Sequence, residues 1–194
     1  MPHTISASSS AGKRLSDWPV DGTLQSTACP GQAVSGSLMA QRVKKVLLVE
    51  DSDDYALLMT RGLHRSNEFQ LLWRAKDGVE AVKFVGGAGE FSNREKFPFP
   101  DVMLLDLYMP RKDGWEVLEW IKNQPNRPIV VVLTILENAA YKKKALAMGA
   151  DEFQVKPYTE EGLQSFLNWL SGFCDSRQQV MRAHSSEPKH ATGK

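Results

Sequence analysis

Cysteine is almost missing from the 194 residues: Cys29 and Cys174 stand far apart with no C-x-x-C pair, which argues against a disulfide framework and against a thiolate zinc site. Charge of one sign is missing too. Lys and Arg total 24 against 23 Asp and Glu, a net charge of +1, so no global positive field draws the chain to nucleic acid or anionic lipid. No apolar run approaches the roughly 20 residues that cross a bilayer, and the N-terminus lacks the basic segment and apolar core of a secretory signal. These absences predict a soluble protein of a reducing, cytoplasmic compartment, with neither nucleic acid nor membrane as partner. His3, His64, His184 and His190 have no metal-site spacing and read as surface residues.

The length suffices for one ordinary domain with loose ends. Residues 1–41 are rich in Ser, Gly, Ala and Thr, broken by Pro2, Pro19 and Pro30, and read as a flexible leader. Met39 lies just ahead of the first strand signal and is an alternative start to Met1. Residues 42–174 carry the periodic apolar pattern of a domain. Residues 175–194 are polar and read as a flexible tail, too short for an output domain.

From Lys45 onward, short β-rich runs alternate with helical segments, the pattern of a parallel sheet covered by helices on both faces. The predicted strands are Val46 to Val49, Phe69 to Arg74, Val102 to Leu105, Ile129 to Leu133 and Glu152 to Val155. Ser52 is placed to cap a helix bearing Tyr55, Leu58, Met59 and Leu63, and Val117, Leu118 and Ile121 mark another. Thr159, followed by Glu160 and Glu161, announces a last helix with the stripe Leu163, Phe166, Leu167 and Leu170. Residues 86–99 are long for a helix-to-strand link and read as a surface elaboration.

Sites in open α/β sheets form beyond the carboxyl ends of the strands. The first strand here ends in Glu50 and Asp51, the third in Asp106, the fourth in Thr134 and the fifth in Lys156. Crowded carboxylates repel, and a hard divalent cation with oxygen ligands offsets that repulsion; Mg²⁺ is the natural candidate, with Asp51 and Asp106 as its carboxylates. A carboxylate also serves as a nucleophile towards a phosphoryl donor when cations and hydrogen-bond donors neutralise the transferring group, a task for Lys156, Thr134 and Mg²⁺.

Through VEDS, LLDLYMPRKDG, VVVLT and QVKP, in that order and spacing, the chain resembles the receiver domains of two-component response regulators over roughly residues 43–172. The resemblance implies a flavodoxin-like, doubly wound (βα)5 fold with a five-stranded parallel sheet of order 2-1-3-4-5. It implies that Asp106 is the phosphoacceptor, that Asp51 binds Mg²⁺ directly with Glu50 acting through water, and that the Tyr108 backbone carbonyl completes the protein ligands. Lys156 would pair with Asp106 or its phosphate, across a cis peptide to Pro157. Thr134 matches the switch hydroxyl and Phe153 its coupled aromatic. Asp113 and Gly114 match the Asp-Gly after the acceptor strand and take structural roles. The donor would be a histidine kinase or phosphotransfer protein, the output binding to a downstream protein, and a homodimer is left open. Such a protein is no enzyme towards a separate substrate, although it assists its own phosphorylation and dephosphorylation. The long connection before the acceptor strand leans towards stand-alone receivers paired with bacterial phytochromes.

Two departures stand out. Ile135, where receivers usually carry a small residue, and Tyr108 place bulk at the site mouth and predict altered phosphorylation or dephosphorylation kinetics. Bland readings of other residues are packing for Trp115, Trp120 and Trp169 and a solvated face for Lys142, Lys143 and Lys144. The face bearing Tyr141, Phe153 and Tyr158 is the expected output surface. A rival reading is a scaffold or dimerisation module whose binding ignores phosphorylation. A phosphatase of the haloacid dehalogenase type needs a second Asp two residues after the nucleophile, and Tyr108 occupies that position.

Overall fold

The structure, a computed structural model, describes residues 42–185; the leader, both candidate starts, Cys29 and His3 lie outside them, as do residues 186–194 of the expected tail with His190. Five parallel strands form one sheet in the order β2-β1-β3-β4-β5: β1 Lys44–Val49, β2 Phe69–Ala75, β3 Val102–Asp106, β4 Ile129–Thr134 and β5 Glu152–Val155. Every residue of β3 and β4 is buried, which explains why these central strands read as unbroken apolar runs rather than alternating ones.

Four helices join the strands and a fifth follows the last: α1 Asp53–Ser66, α2 Gly78–Gly86, α3 Gly114–Lys122, α4 Ala139–Ala147 and α5 Glu160–Ser185. Side-chain oxygens cap their starts, with Ser52 accepting from Tyr55 N–H, Asp77 from Glu80 N–H and Asn138 from Ala140 N–H, so orphan amides of each first turn are satisfied locally. Alternation along the strands divides the core in two. Val46 and Leu48 pack under α1 and α5 with Met59, Leu63, Phe166 and Leu170. Leu47 and Val49 pack under α2, α3 and α4 with Phe84, Val117, Ile121 and Ala145. Trp115 and Trp120 lean on the second layer and Trp169 on the first.

The 86–99 connection is no mere surface elaboration. It contains a 3₁₀ turn, Gly89–Ser92, and sends Phe91 and Phe97 into the core. These rings meet at 5.1 Å and nearly at right angles, and each also meets Trp73 edge-on. Arg94 ties the connection down by donating to the carbonyls of Phe84 (2.9 Å) and Val85 (2.6 Å), adding to the Gly87 N–H that Phe84 O also accepts and so completing the capping of the end of α2. Aromatic area buried here extends the core past the last turn of α2.

The expected start of a flexible tail at residue 175 is corrected as well, because α5 continues to Ser185. Buried polar contacts hold the extra turns. Lys44 Nζ pairs with Asp175 (3.0 Å) and donates to Ser171 (2.9 Å), and Arg177 pairs with the buried Asp151, which also receives both amino groups of Arg127. No helix among the described residues is long and apolar enough to cross a membrane.

Candidate phosphoryl and metal site

Because the strands are parallel, their carboxyl ends share one edge, and the residues that break each apolar run meet there. Asp106 closes β3, beside Glu50 and Asp51 just beyond β1, and the register pairs Asp106 with Leu133, one residue before Thr134. One oxygen each from Glu50, Asp51 and Asp106 lie within 4.8 Å of one another. Lys156, just past the edge strand β5, reaches back across β4 and donates to Asp106 Oδ2 and Glu50 Oε2, both at 2.7 Å.

Asp106 Oδ1 accepts the Tyr108 N–H at 3.2 Å, and Glu50 Oε1 accepts that of Ser52 at 3.2 Å. Glu50, Asp106 and Lys156 are all buried, whereas Asp51 is exposed. Burial raises the Glu50 carboxyl above its ordinary range, with the Lys156 hydrogen bond pulling the other way. Burial also works against the Lys156 ammonium, yet hydrogen bonds to Asp106 and Glu50 outweigh it and hold the lysine above its usual value. A cation between two buried carboxylates offsets their mutual repulsion.

The Lys156–Pro157 peptide is trans: no cis bond occurs among the described residues. The expected cis bond is therefore corrected. The trans isomer is the intrinsically favoured one even before proline, and Lys156 reaches both carboxylates from it while its own N–H bonds to Thr134 O at 2.8 Å. Thr134 is fully buried, and its hydroxyl accepts the Leu136 N–H at 3.3 Å. Phe153 is buried in the layer beneath α4, paired with Val132. It is therefore not on the output face with Tyr158, which is 60% exposed; the buried position corrects that part of the expectation.

The loop after β3 is shaped by Gly114. A Cβ there would lie 2.3 Å from the Asp106 carbonyl oxygen, so only glycine lets α3 start this close to Asp106. Asp113 caps α3 through a reciprocal capping box with Glu116,. Tyr108 and Ile135 stand at the mouth of a cleft of about 460 Å³ with Leu136 and Tyr158, above a floor of Glu50, Asp51, Asp106 and Lys156. Of the lysine run, Lys142 pairs with Glu152 at 3.0 Å and Lys144 lies 4.1 Å from the Trp115 ring centroid. His64 is exposed.

Residues not picked from the sequence also shape this edge. Tyr55 on α1 lies under Lys156, with the ammonium 4.7 Å from its ring, and its buried hydroxyl has no hydrogen-bond partner among the described residues. Arg111, in the left-handed region at φ 67°, pairs with the buried Asp77 at the start of α2. Arg74 on β2 donates into the loop after β1. A charged residue closing an edge strand was the one available signal for Arg74; Tyr55 sits at a helical core spacing and gave none.

All three grouped acids offer hard oxygen donors, so the site fits a small divalent cation. The sheet order and the grouped strand-end acids define a doubly wound α/β protein with its site at the strand edge. The chain belongs to the response regulator receiver domain family, whose model matches residues 46–168. It is 42% identical over 97 residues to response regulator Rcp1 of Synechocystis, covering 49% of this chain and 64% of Rcp1. It is 33% identical over 114 residues to the Regulator of RpoS of Escherichia coli, covering 59% of this chain and only 30% of that protein. The chain thus spans less than two thirds of each of these curated relatives. Among solved structures, the Mn²⁺-bound form of Rcp1 superposes with a TM-score of 0.58 at 32% identity, over 67% of this chain and 93% of that one. The phosphorylated cyanobacterial phytochrome response regulator RcpA gives 0.60 at 30% identity, over 70% and 96%.

Proposed function

We propose that the protein is a single-domain response regulator of a cytoplasmic two-component phosphorelay, taking a phosphoryl group onto Asp106 and signalling by binding a downstream protein. The observation that carries this reading is the Asp106 carboxylate at the end of β3, held at 2.7 Å by Lys156 and grouped with Glu50 and Asp51. An Asp106 oxygen attacks the phosphorus of a phosphohistidine on a histidine kinase or phosphotransfer protein; the P–N bond breaks, the imidazole leaves with its electron pair, and an acyl phosphate forms. Lys156 is placed to hold the charge that develops on the phosphoryl oxygens. Asp51, Asp106 and the Tyr108 carbonyl, with Glu50 acting through water, would hold Mg²⁺, which would supply further charge neutralisation.

Thr134 serves as the switch hydroxyl in this reading. To reach a phosphoryl group it exchanges its bond with the Leu136 N–H for one to a phosphoryl oxygen, and Phe153, beneath α4 on the neighbouring strand, responds to the space it leaves. Tyr108 and Ile135, 46% and 60% exposed at the cleft mouth, limit the entry of donor and water. The protein acts on its own aspartyl group and not on a separate substrate.

Intact mass after incubation with a small-molecule phosphodonor and Mg²⁺ tests the reading. Wild type gains one phosphoryl group, and Asp106→Asn and a metal-free sample gain none. If wild type gains nothing from the small donor or from kinases, the phosphorylation-independent scaffold takes its place.

A further inference from the structure

We infer that Arg74 is a positioning residue for the metal-binding acids, setting the direction of the Asp51 carboxylate through the backbone of the loop after β1. The inference rests on the metal-site reading above and names a part of that site which lies on another strand. Arg74 pairs with Leu48 in the register of β1 and β2, one residue before each strand turns into its loop. Its guanidinium has three acceptors: Nε donates to the Glu50 carbonyl at 3.0 Å, Nη2 to the Asp51 carbonyl at 2.8 Å, and Nη1 to an Asp53 carboxylate oxygen.

The two carbonyl contacts matter most. Those oxygens belong to consecutive peptide planes, and the residue between the planes is Asp51. Guanidinium is planar and its donors sit in a fixed fork, so one rigid group holding both planes fixes the φ and ψ of Asp51 and thereby its Cα–Cβ direction. β1 ends at Val49, so neither carbonyl is held by the strand ladder; the loop's other holds, the Glu50 N–H on Ala75 O and the Ser52 N–H on Glu50 Oε1, grip neither of these two oxygens.

An ordinary surface ion pair with Asp53 is the bland account, and such pairs contribute little. Two features set Arg74 apart: its side chain is only 20% exposed, and two of its three acceptors are backbone atoms of the acidic pair itself. Asp53 is 76% exposed and also shared with Lys76, so it anchors the fork more than it is anchored.

Charge and positioning predict opposite signs. A guanidinium near a cation site repels the metal, so electrostatics alone makes an arginine-free variant bind more tightly. Loss of positioning makes it bind more weakly, and partners that orient metal ligands are typically worth 10-fold or more in affinity. Calorimetric titration of Mn²⁺ into the full chain, with melting temperature read on the same samples, separates the two. Arg74→Met is expected to weaken binding by about 10-fold while remaining folded. Arg74→Lys keeps the charge but concentrates its donors on one nitrogen, and is expected to fall between Arg74→Met and wild type. Arg74→Met binding as tightly as wild type, or more tightly, overturns the inference. If Arg74→Met fails to fold, wild-type affinity in Arg74→Lys overturns it and weakened affinity in a folded Arg74→Lys supports it. Wild type that binds no Mn²⁺ overturns the metal-site reading and this inference together, whereas wild type that binds alongside unaffected variants overturns this inference alone.

Discussion

Tyr108 and Ile135, near Asp106, face outward. Lys156, Glu50 and Thr134 are packed into the sheet edge, where their contacts are over-determined, while the two rim side chains are about half exposed or more and free to change without collapsing the floor. Their expected effect is therefore chiefly on rates, with Tyr108 also contributing its ring contact with Tyr141 on α4. Tyr108→Ala and Ile135→Ala should each speed loss of the phosphoryl group from Asp106 by about threefold, or ~0.7 kcal/mol of barrier. Following intact mass with time after removal of the donor checks this, and unchanged rates in both variants would mean that neither side chain gates the site. Cys174 shows the opposite case of a residue withdrawn from chemistry: burial pushes its thiol up to about 12, and it behaves as a core side chain on the inner face of α5.

At the scale of elements, the connection after α2 and helix α4 contrast most. The connection looks polar in sequence yet contributes two buried rings, and its hold on the core is aromatic. Phe91→Ala should cost ~3–5 kcal/mol by loss of buried area and creation of a cavity, measured by urea unfolding, with the divalent-cation affinity of the folded protein unchanged because the cavity lies away from the carboxyl edge. A loss below ~1 kcal/mol would mean that the rings contribute little more than surface groups do. By contrast, α4 has a single buried residue, Ala145. Its hold on the domain comes from partly buried Tyr141, which meets Tyr108 and Trp115, and from Lys142 and Lys144. An element with so little buried apolar area is drawn from the low-stability end of the fold, which would suit it to move in the proposed exchange of Thr134 partners.

For the whole molecule, the sheet joins two ends with different tasks. The carboxyl edge collects the acids and Lys156; the opposite edge is closed by the last turns of α5 on Lys44 and Asp151. Those contacts bury charge, and removing one partner of a buried ion pair costs more than a surface pair returns. A chain ending at Phe173 should accordingly lose about 3 kcal/mol relative to one ending at Val180, read as a lower urea midpoint. Equal midpoints would show that the helix extension contributes nothing to the domain.

The order of strands and helices, the two-layer core and the strand-end acids were legible because each rests on local chemistry: β-branched runs, capping residues, and charge placed where an apolar run stops. Glu50, Asp51, Asp106 and Lys156 could be picked without coordinates, since parallel strands put all such ends on one edge. Arg74, Tyr55, the trans peptide before Pro157, the buried side of Phe153, the core role of Phe91 and the true end of α5 required the tertiary structure. Each depends on what lies opposite in space. A guanidinium finds two carbonyls 23 and 24 residues away, an aromatic in a polar stretch finds Trp73, and Arg177 finds Asp151. Sequence determines which groups exist and the local conformation each prefers; packing decides which of them meet, because burial and hydrogen-bond satisfaction are properties of the assembled whole.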